Sequence, residues 1–160
     1  MAPEFETGCT LDQDIQFPEI LGSTVDEVLE TMFFTEALAT DCAHEWRIDA
    51  VSAHVRFDGS HLGEMLITLS SQAADSIAPA FLGLDPSETT PEARGQVILE
   101  LTNILCGAVL SRLWPESKLS LATPELAGSD VRIEGLHHCF ALPEGMLSVS
   151  LSVQAKPECS

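Results

Sequence analysis

A chain of 160 residues with 45% hydrophobic content is long and apolar enough for one domain with its own core, which sets intrinsic disorder aside. Its 25 acids against 7 lysines and arginines give a formal net charge of −18, which argues against nucleic acid or an anionic membrane surface as partner, since both need a basic footprint. Five scattered cysteines (Cys9, Cys42, Cys106, Cys139, Cys159), an odd number, argue against a disulfide framework; the N-terminus lacks a signal-peptide pattern and no apolar run approaches the roughly 18 residues of a membrane span, so a cytoplasmic protein is expected.

Residues 1–16 are polar and read as a flexible N-terminus, ahead of a single domain at 17–156. Ser23 is placed to cap a helix running to about Leu38, with Asp26 and Glu27 in the first turn, where the helix dipole favours acids. Ala39 to Glu45 reads as a loop. Trp46 to Phe57 reads as a strand closed by Asp58-Gly59, a hairpin turn pair, and Gly63 to Ser70 alternates as its partner. Gln72 to Leu82 reads as a short helix that contains Pro79 and is capped by Gly83. Asp85 to Glu92 (DPSETTPE) is the clearest loop of the chain. A long helix follows over Gly95 to Leu113 and is stopped by Pro115. Three strand-like runs close the chain: Lys118 to Thr123, Val131 to Leu142 and Met146 to Ala155. The last alternates Leu147, Val149, Leu151, Val153 with Ser148, Ser150, Ser152, the pattern of a half-buried strand.

The helix over Gly95 to Leu113 is apolar around most of its circumference. At 100° per residue, Gln96, Glu100, Asn103, Gly107 and Ser111 fall on one stripe about 80° wide. A helix of this kind is packed on most sides and keeps one narrow face open, with Glu100 and Asn103 one turn apart at its centre. A weak internal repeat adds to this. Val28 to Phe33 resembles Ile98 to Asn103, Val55 to Gly59 resembles Val131 to Gly135, and Met65-Leu66 and Met146-Leu147 each open an alternating strand. In the first helix Asp26, Glu30, Phe33 and Ala37 take the relative positions of Gln96, Glu100, Asn103 and Gly107. Both helices keep a carboxylate, but only the second follows it with an amide.

Glu100-Leu101-Thr102-Asn103, with Gly107 further along the helix and Pro124 downstream, resembles the Glu-x-x-Asn signature of the CheC/CheX/FliY chemotaxis phosphatases. With one such motif and no flagellar-switch domain, the chain is most similar to the CheX-like members. The resemblance implies an α/β (α+β) fold of the CheC type, in two layers, with internally duplicated halves of helix plus strand hairpin and long helices packed on one shared sheet. It implies dephosphorylation of the aspartyl phosphate of a CheY-type response regulator, and a homodimer. By position, Glu100 would pair with the receiver's active-site lysine and Asn103 would orient the attacking water. The Mg²⁺ would be supplied by the receiver, leaving this chain with no cofactor of its own. Gln96, Gly107 and Ser111 would flank the docking site. The broader family pattern has Asp or Ser where this chain has Gln96, while Asp26 matches it in the first half, and the spacing from Asn103 to Pro124 is slightly short.

The chemistry suits these residue types. An acyl phosphate is already reactive, and phosphoryl transfer is mostly positioning plus charge stabilisation. A carboxamide holds a water without adding charge beside the phosphoryl group, as a glutamine does in small GTPases. Asn has a shorter arm than Gln and so needs a rigid element that approaches closely. Glu100 and Asn103 at i, i+3 project together.

Other readings of these residues remain open at this stage. Glu100 and Asn103 could be a solvated stripe, or the face of a non-catalytic adaptor or a flagellar assembly protein. His137-His138-Cys139 with Cys42 and His44 invites a metal, but adjacent histidines in a strand point to opposite faces and no Cys-x-x-Cys is present. Ser111 and Ser120 lack a histidine and acid arrangement for a hydrolase triad, and no glycine loop for nucleotide phosphates exists.

Overall fold

The structure is a computed structural model that describes residues 2–41, 49–128 and 131–154. Its elements are helix α1 (Ala2–Met32), strands β1 (Leu38–Thr40), β2 (Val51–Gly59) and β3 (Leu62–Leu69), helix α2 (Ser71–Leu82), helix α3 (Pro91–Leu113), and strands β4 (Leu119–Leu121), β5 (Glu125–Ala127), β6 (Leu136–Leu142) and β7 (Gly145–Gln154). All strand pairs are antiparallel, so the fold is α+β. The sheet order is β1-β6-β7-β3-β2-β4, with β5 also on β2.

The order of elements carries the duplication. A helix and three strands (α1, β1, β2, β3) are followed, after α2, by a helix and its strands (α3, β4, β5, β6, β7). The two long strands β3 and β7 pair at the centre, from Leu62↔Gln154 to Leu69↔Leu147. Each half lends its short strand to the other: β1 closes the edge beside β6, and β4 closes the edge beside β2. The finer alignment of the repeat does not hold throughout, because Val55 to Gly59 lies within β2 whereas Val131 to Gly135 precedes β6.

One face of the sheet carries the core. Ala53, Val55, Phe57, Met65, Ile67, Leu69, Leu147, Val149 and Leu151 alternate toward the helices and are buried. The reverse face is mostly polar, with Leu66 and Cys139 buried among its serines, threonine and histidines. Ser52 and Thr68 share a hydrogen bond of 2.9 Å, and His137 Nδ1 lies 2.7 Å from Ser150 Oγ. Ser148 and Ser150 are themselves buried, so β7 is covered on both faces rather than half-buried as its alternation suggested.

Several expected boundaries move. The first helix does not begin at Ser23: α1 starts at Ala2 and contains Pro18. The Ser23 hydroxyl instead donates to Ile20 O at 3.3 Å. Its end also comes early, at Met32 rather than Leu38. Phe34 takes a left-handed φ of 59°, and both Phe33 N–H (3.2 Å) and Thr35 N–H (3.0 Å) bond back to Leu29 O, which closes the helix end. The chain then pairs as β1 where a loop was expected. The expected strand start at Trp46, the Cys42 and His44 pair, Cys159 and Ala155 lie outside the described residues.

Elsewhere the expectations hold closely. The β2–β3 hairpin follows Asp58-Gly59, and α2 ends at Gly83, which takes φ 72° at the cap. Pro79 is accommodated within α2, and its carbonyl accepts from Gly83 N–H. Ser70 caps α2 and also holds the sheet. Its Oγ accepts from Ala73 N–H at 3.2 Å and from Met146 N–H at 3.1 Å, in a buried position. Ser70→Ala strands a backbone donor and removes the cap, so unfolding in urea is expected to show a loss of about 1–3 kcal/mol. A loss under about 0.5 kcal/mol would show that water replaces both bonds.

Cysteine pairing departs from expectation, since Cys139 takes part in a disulfide. Cys106 is free and fully buried on α3, and burial pushes its thiol up to about 12 from an ordinary 9.0. The folded thiol therefore stays neutral where the unfolded one ionises. The stability this burial carries is complete below pH 9 and is lost as pH rises from about 9 toward 12. The urea midpoint of the wild-type chain is expected to fall across that window more steeply than that of Cys106→Ala; parallel slopes would refute the assignment.

Candidate active site on helix α3

The helix that carries the motif starts four residues before the expected Gly95. Thr90 is its cap, accepting from Ala93 N–H at 3.1 Å, and Pro91 occupies the first turn, where a missing N–H costs nothing. The preceding DPSETTPE stretch is not a plain loop. Pro86–Glu88 forms a 3₁₀ turn in which Asp85 accepts from Ser87 N–H at 3.2 Å and Glu88 Oε1 accepts from Asp85 N–H at 2.7 Å.

Val97, Ile98, Leu101, Thr102, Leu105, Cys106, Val109, Leu110 and Leu113 bury the inward sides of α3. Thr102 folds its hydroxyl onto Ile98 O at 2.7 Å, which satisfies it without a partner elsewhere. Within its 23 residues α3 holds an 18-residue window of mean hydropathy 1.3, the length and composition of a membrane span, and it has them because sheet and helices take its apolar sides. Arginines fasten both ends. Arg94 makes a forked ion pair with Asp75 of α2 at 2.6 and 2.9 Å. Arg112 donates to Glu27 at 2.8 Å and to Thr24 at 3.1 Å, both on α1. The pairs are partly exposed and contribute only about 0–1 kcal/mol each. Their effect is on placement, because they fix how far α3 can slide between its neighbours.

Gln96, Glu100, Asn103 and Ser111 are exposed, and Gly107 is partly so. The stripe read from the sequence therefore exists as a surface of a rigid helix. Glu100 and Asn103 share an open groove of about 440 Å³ with Leu99, Leu121, Ala122, Thr123 and Pro124. The groove gathers Glu100, Asn103 and Pro124, which the motif linked across 24 positions of sequence. Gln96, Gly107 and Ser111 lie on the same stripe but do not line it. Ser111 donates its hydroxyl to Ala108 O at 3.1 Å. A side chain at Gly107 would meet nothing within 4 Å, so the glycine is not required by packing within the chain.

The far wall of the groove comes from a segment the sequence only partly revealed. Lys118 to Thr123 was expected as one strand. The segment instead runs along the free edge of β2 as β4 and β5, with Leu121 opposite Phe57 and Glu125 opposite His54. Three residues, Ala122, Thr123 and Pro124, thus face only Val55 and Arg56, which is a bulge of one residue. Pro124 has no N–H to give the ladder, so an edge bulge is where a strand accepts it. The strand expected from Val131 begins only at Leu136.

The first half does not repeat this surface. Phe33 and Ala37, matched above to Asn103 and Gly107, are buried. Phe33 lies beyond the end of α1 and stacks on Phe81 with ring centroids 4.2 Å apart. Asp26 and Glu30 are exposed on α1, so only the acidic part of the stripe is common to both halves. His137 and His138 point to opposite faces of the sheet, as their adjacency required. Among the described residues no group of three or more His, Cys, Asp or Glu is arranged to hold a metal.

The family model described as "Chemotaxis phosphatase CheX" matches residues 51–143, more than half of the chain. The chain belongs to the CheX family. Its structure resembles the chemotaxis protein CheX of Vibrio vulnificus, with 25% identity, a TM-score of 0.70, and coverage of 87% of this chain and 97% of that one. The CheX of a CheX-CheY-BeF3-Mg²⁺ complex from Borrelia burgdorferi shares the fold at 19% identity and a TM-score of 0.66, covering 85% and 96% of the two chains. A CheC-like superfamily protein from Shewanella sp. PV-4 does so at 18% identity and a TM-score of 0.67, covering 88% and 99%. No curated protein sequence matches the chain. The CheX match spans β2 to β6, which includes α3, its groove and the bulge.

Proposed function

We propose that this chemotaxis phosphatase-family protein hydrolyses the aspartyl phosphate of a CheY-type receiver domain, with Asn103 orienting the attacking water and Glu100 pairing with the receiver's lysine. The observation that carries the reading is the placement of Glu100 and Asn103 together, exposed, at an open groove on a helix fastened at both ends. In the step itself the water oxygen bonds to phosphorus and the bond from phosphorus to the aspartyl oxygen breaks. The aspartate carboxylate and inorganic phosphate leave, and the water proton passes to phosphate. The Mg²⁺ belongs to the receiver, where it neutralises charge on the phosphoryl oxygens.

The groove is open enough for a residue of another protein to enter, and Gly107 leaves the helix bare where such a partner lies along it. Gln96 and Gly107 flank the contact on either side, whereas Ser111 has its hydroxyl committed to its own helix. The Borrelia relative was solved with CheY, BeF3 and Mg²⁺, which supports a receiver as partner. We also take the chain to act in the cytoplasm as a homodimer, for which the exposed edge strand β1 is available.

The test is phosphate release from freshly phosphorylated CheY-type receivers encoded by the same genome. Catalytic amounts of the chain are expected to speed release well beyond the receiver's own rate. No acceleration with any of these receivers would overturn the proposal, and tight binding without acceleration would make the chain an adaptor.

A further inference from the structure

The bulge between β4 and β5 decides where Leu126 points. Had the β4 register continued, Leu126 would stand opposite Ser52 and face the reverse side of the sheet. With one extra residue it stands opposite Ala53, whose side chain faces the helices. Glu125 is turned to the reverse side instead, with Oε1 3.7 Å from His54 Nε2. Leu126 then lies over α3 at Gly95, where a Cβ would sit 3.4 Å from its Cδ1. A Cβ at that position would meet the leucine methyls only at ordinary van der Waals distance, 3.4 and 3.7 Å, so Leu126 lies against this turn of α3 without needing the glycine. Even so, Leu126 is 57% exposed.

Its place relative to the groove is specific. Gly95 is one helical turn before Leu99, and Leu99, Leu121 and Pro124 form the apolar part of the groove. Leu126 extends that apolar wall toward the start of α3. Leu126 does not line the groove itself but follows Pro124 by two residues, whereas Phe34 and Leu38 lie at the opposite side of the sheet, where β1 forms the edge.

We infer that Leu126 is a docking residue for the receiver, seating an apolar side chain that lies beside the receiver's phosphorylated aspartate. The inference rests on the function proposed above and deepens it. Glu100 and Asn103 exchange water for partner hydrogen bonds, which yields little net affinity. Apolar burial is what holds two proteins together, and Leu126 leaves more than half of its surface open for it. The receiver is the occupant because the wall is continuous with the groove that must hold the phosphoryl group; a second copy seated there would close that groove. Leu126 thus sets affinity, and Asn103 sets rate.

The test uses the full chain and its Leu126→Ser and Leu126→Met variants. Binding is measured to a CheY-type receiver loaded with BeF3⁻ and Mg²⁺, and turnover to the phosphorylated receiver. For Leu126→Ser, Kd and KM are expected to rise about five- to tenfold, while kcat changes less than about twofold and the melting temperature stays put. Leu126→Met keeps the wild-type Kd. A serine variant with KM unmoved, or with kcat lost instead, overturns the docking role while the phosphatase reading stands. A wild-type chain that neither binds nor hydrolyses overturns both.

Discussion

Asn103→Ala is expected to lower the rate of receiver dephosphorylation by about 10²- to 10³-fold, the usual effect of removing one orienting group from a preorganised site. Binding to the receiver loaded with BeF3⁻ and Mg²⁺ should stay within about threefold, because Glu100 and the apolar wall remain. The fold should be untouched, since Asn103 is exposed and its side chain makes no contact on which α3 depends. The measurement is single-turnover phosphate release at saturating enzyme, with a thermal melt as control. Its sharpness comes from the separation of the two roles: a water-orienting amide affects the chemical step, whereas a docking residue affects the concentration needed to reach it. Unchanged phosphate release in this variant would remove Asn103 from the mechanism.

The largest effect on stability is expected two positions earlier. Leu101 is fully buried on the side of α3 away from the stripe. Leu101→Ala opens a cavity between α3 and its neighbours and should cost about 2–5 kcal/mol. For a chain of this size that lowers the melting temperature by about 2–4 °C per kcal/mol. Leu101 touches no groove residue's chemistry, so kcat measured well below the melt should fall far less than in Asn103→Ala. A melting temperature within about 2 °C of wild type would mean that the core collapses around the gap, contrary to the close packing of α3 on α1, α2 and the sheet.

The architecture was legible where local chemistry and tertiary environment agree. The Asp58-Gly59 hairpin, the Gly83 stop and the narrow stripe of α3 all follow from turn preference or periodicity, and each is present. Boundaries failed where a side chain overrode the pattern. Thr90-Pro91 starts α3 early because a cap and a first-turn proline outrank the onset of apolar periodicity. Phe33 was misplaced because the projection continued α1 past Met32, where Phe34 turns the chain at φ 59°. Three-residue strands such as β1 and β5 have no period to read. At the groove, the motif linked Glu100, Asn103 and Pro124, and all three line it. Leu126 was not, because its side of the sheet depends on one extra residue in a ladder, which no local pattern encodes.

The exchange of edge strands between the halves also governs the order in which this chain can assemble. As it leaves the ribosome, α1, β1, β2 and β3 emerge before β6, the partner of β1 among the described residues. β3 likewise lacks one neighbour until β7 follows. With β2 waiting in the same way for β4 and β5, the first half must wait with three unpaired strand borders, which makes folding dependent on distant contacts and slow relative to a chain of local hairpins. It also means that α3 reaches its final position only once the sheet behind it is closed, so a working groove is one of the last features the nascent protein acquires.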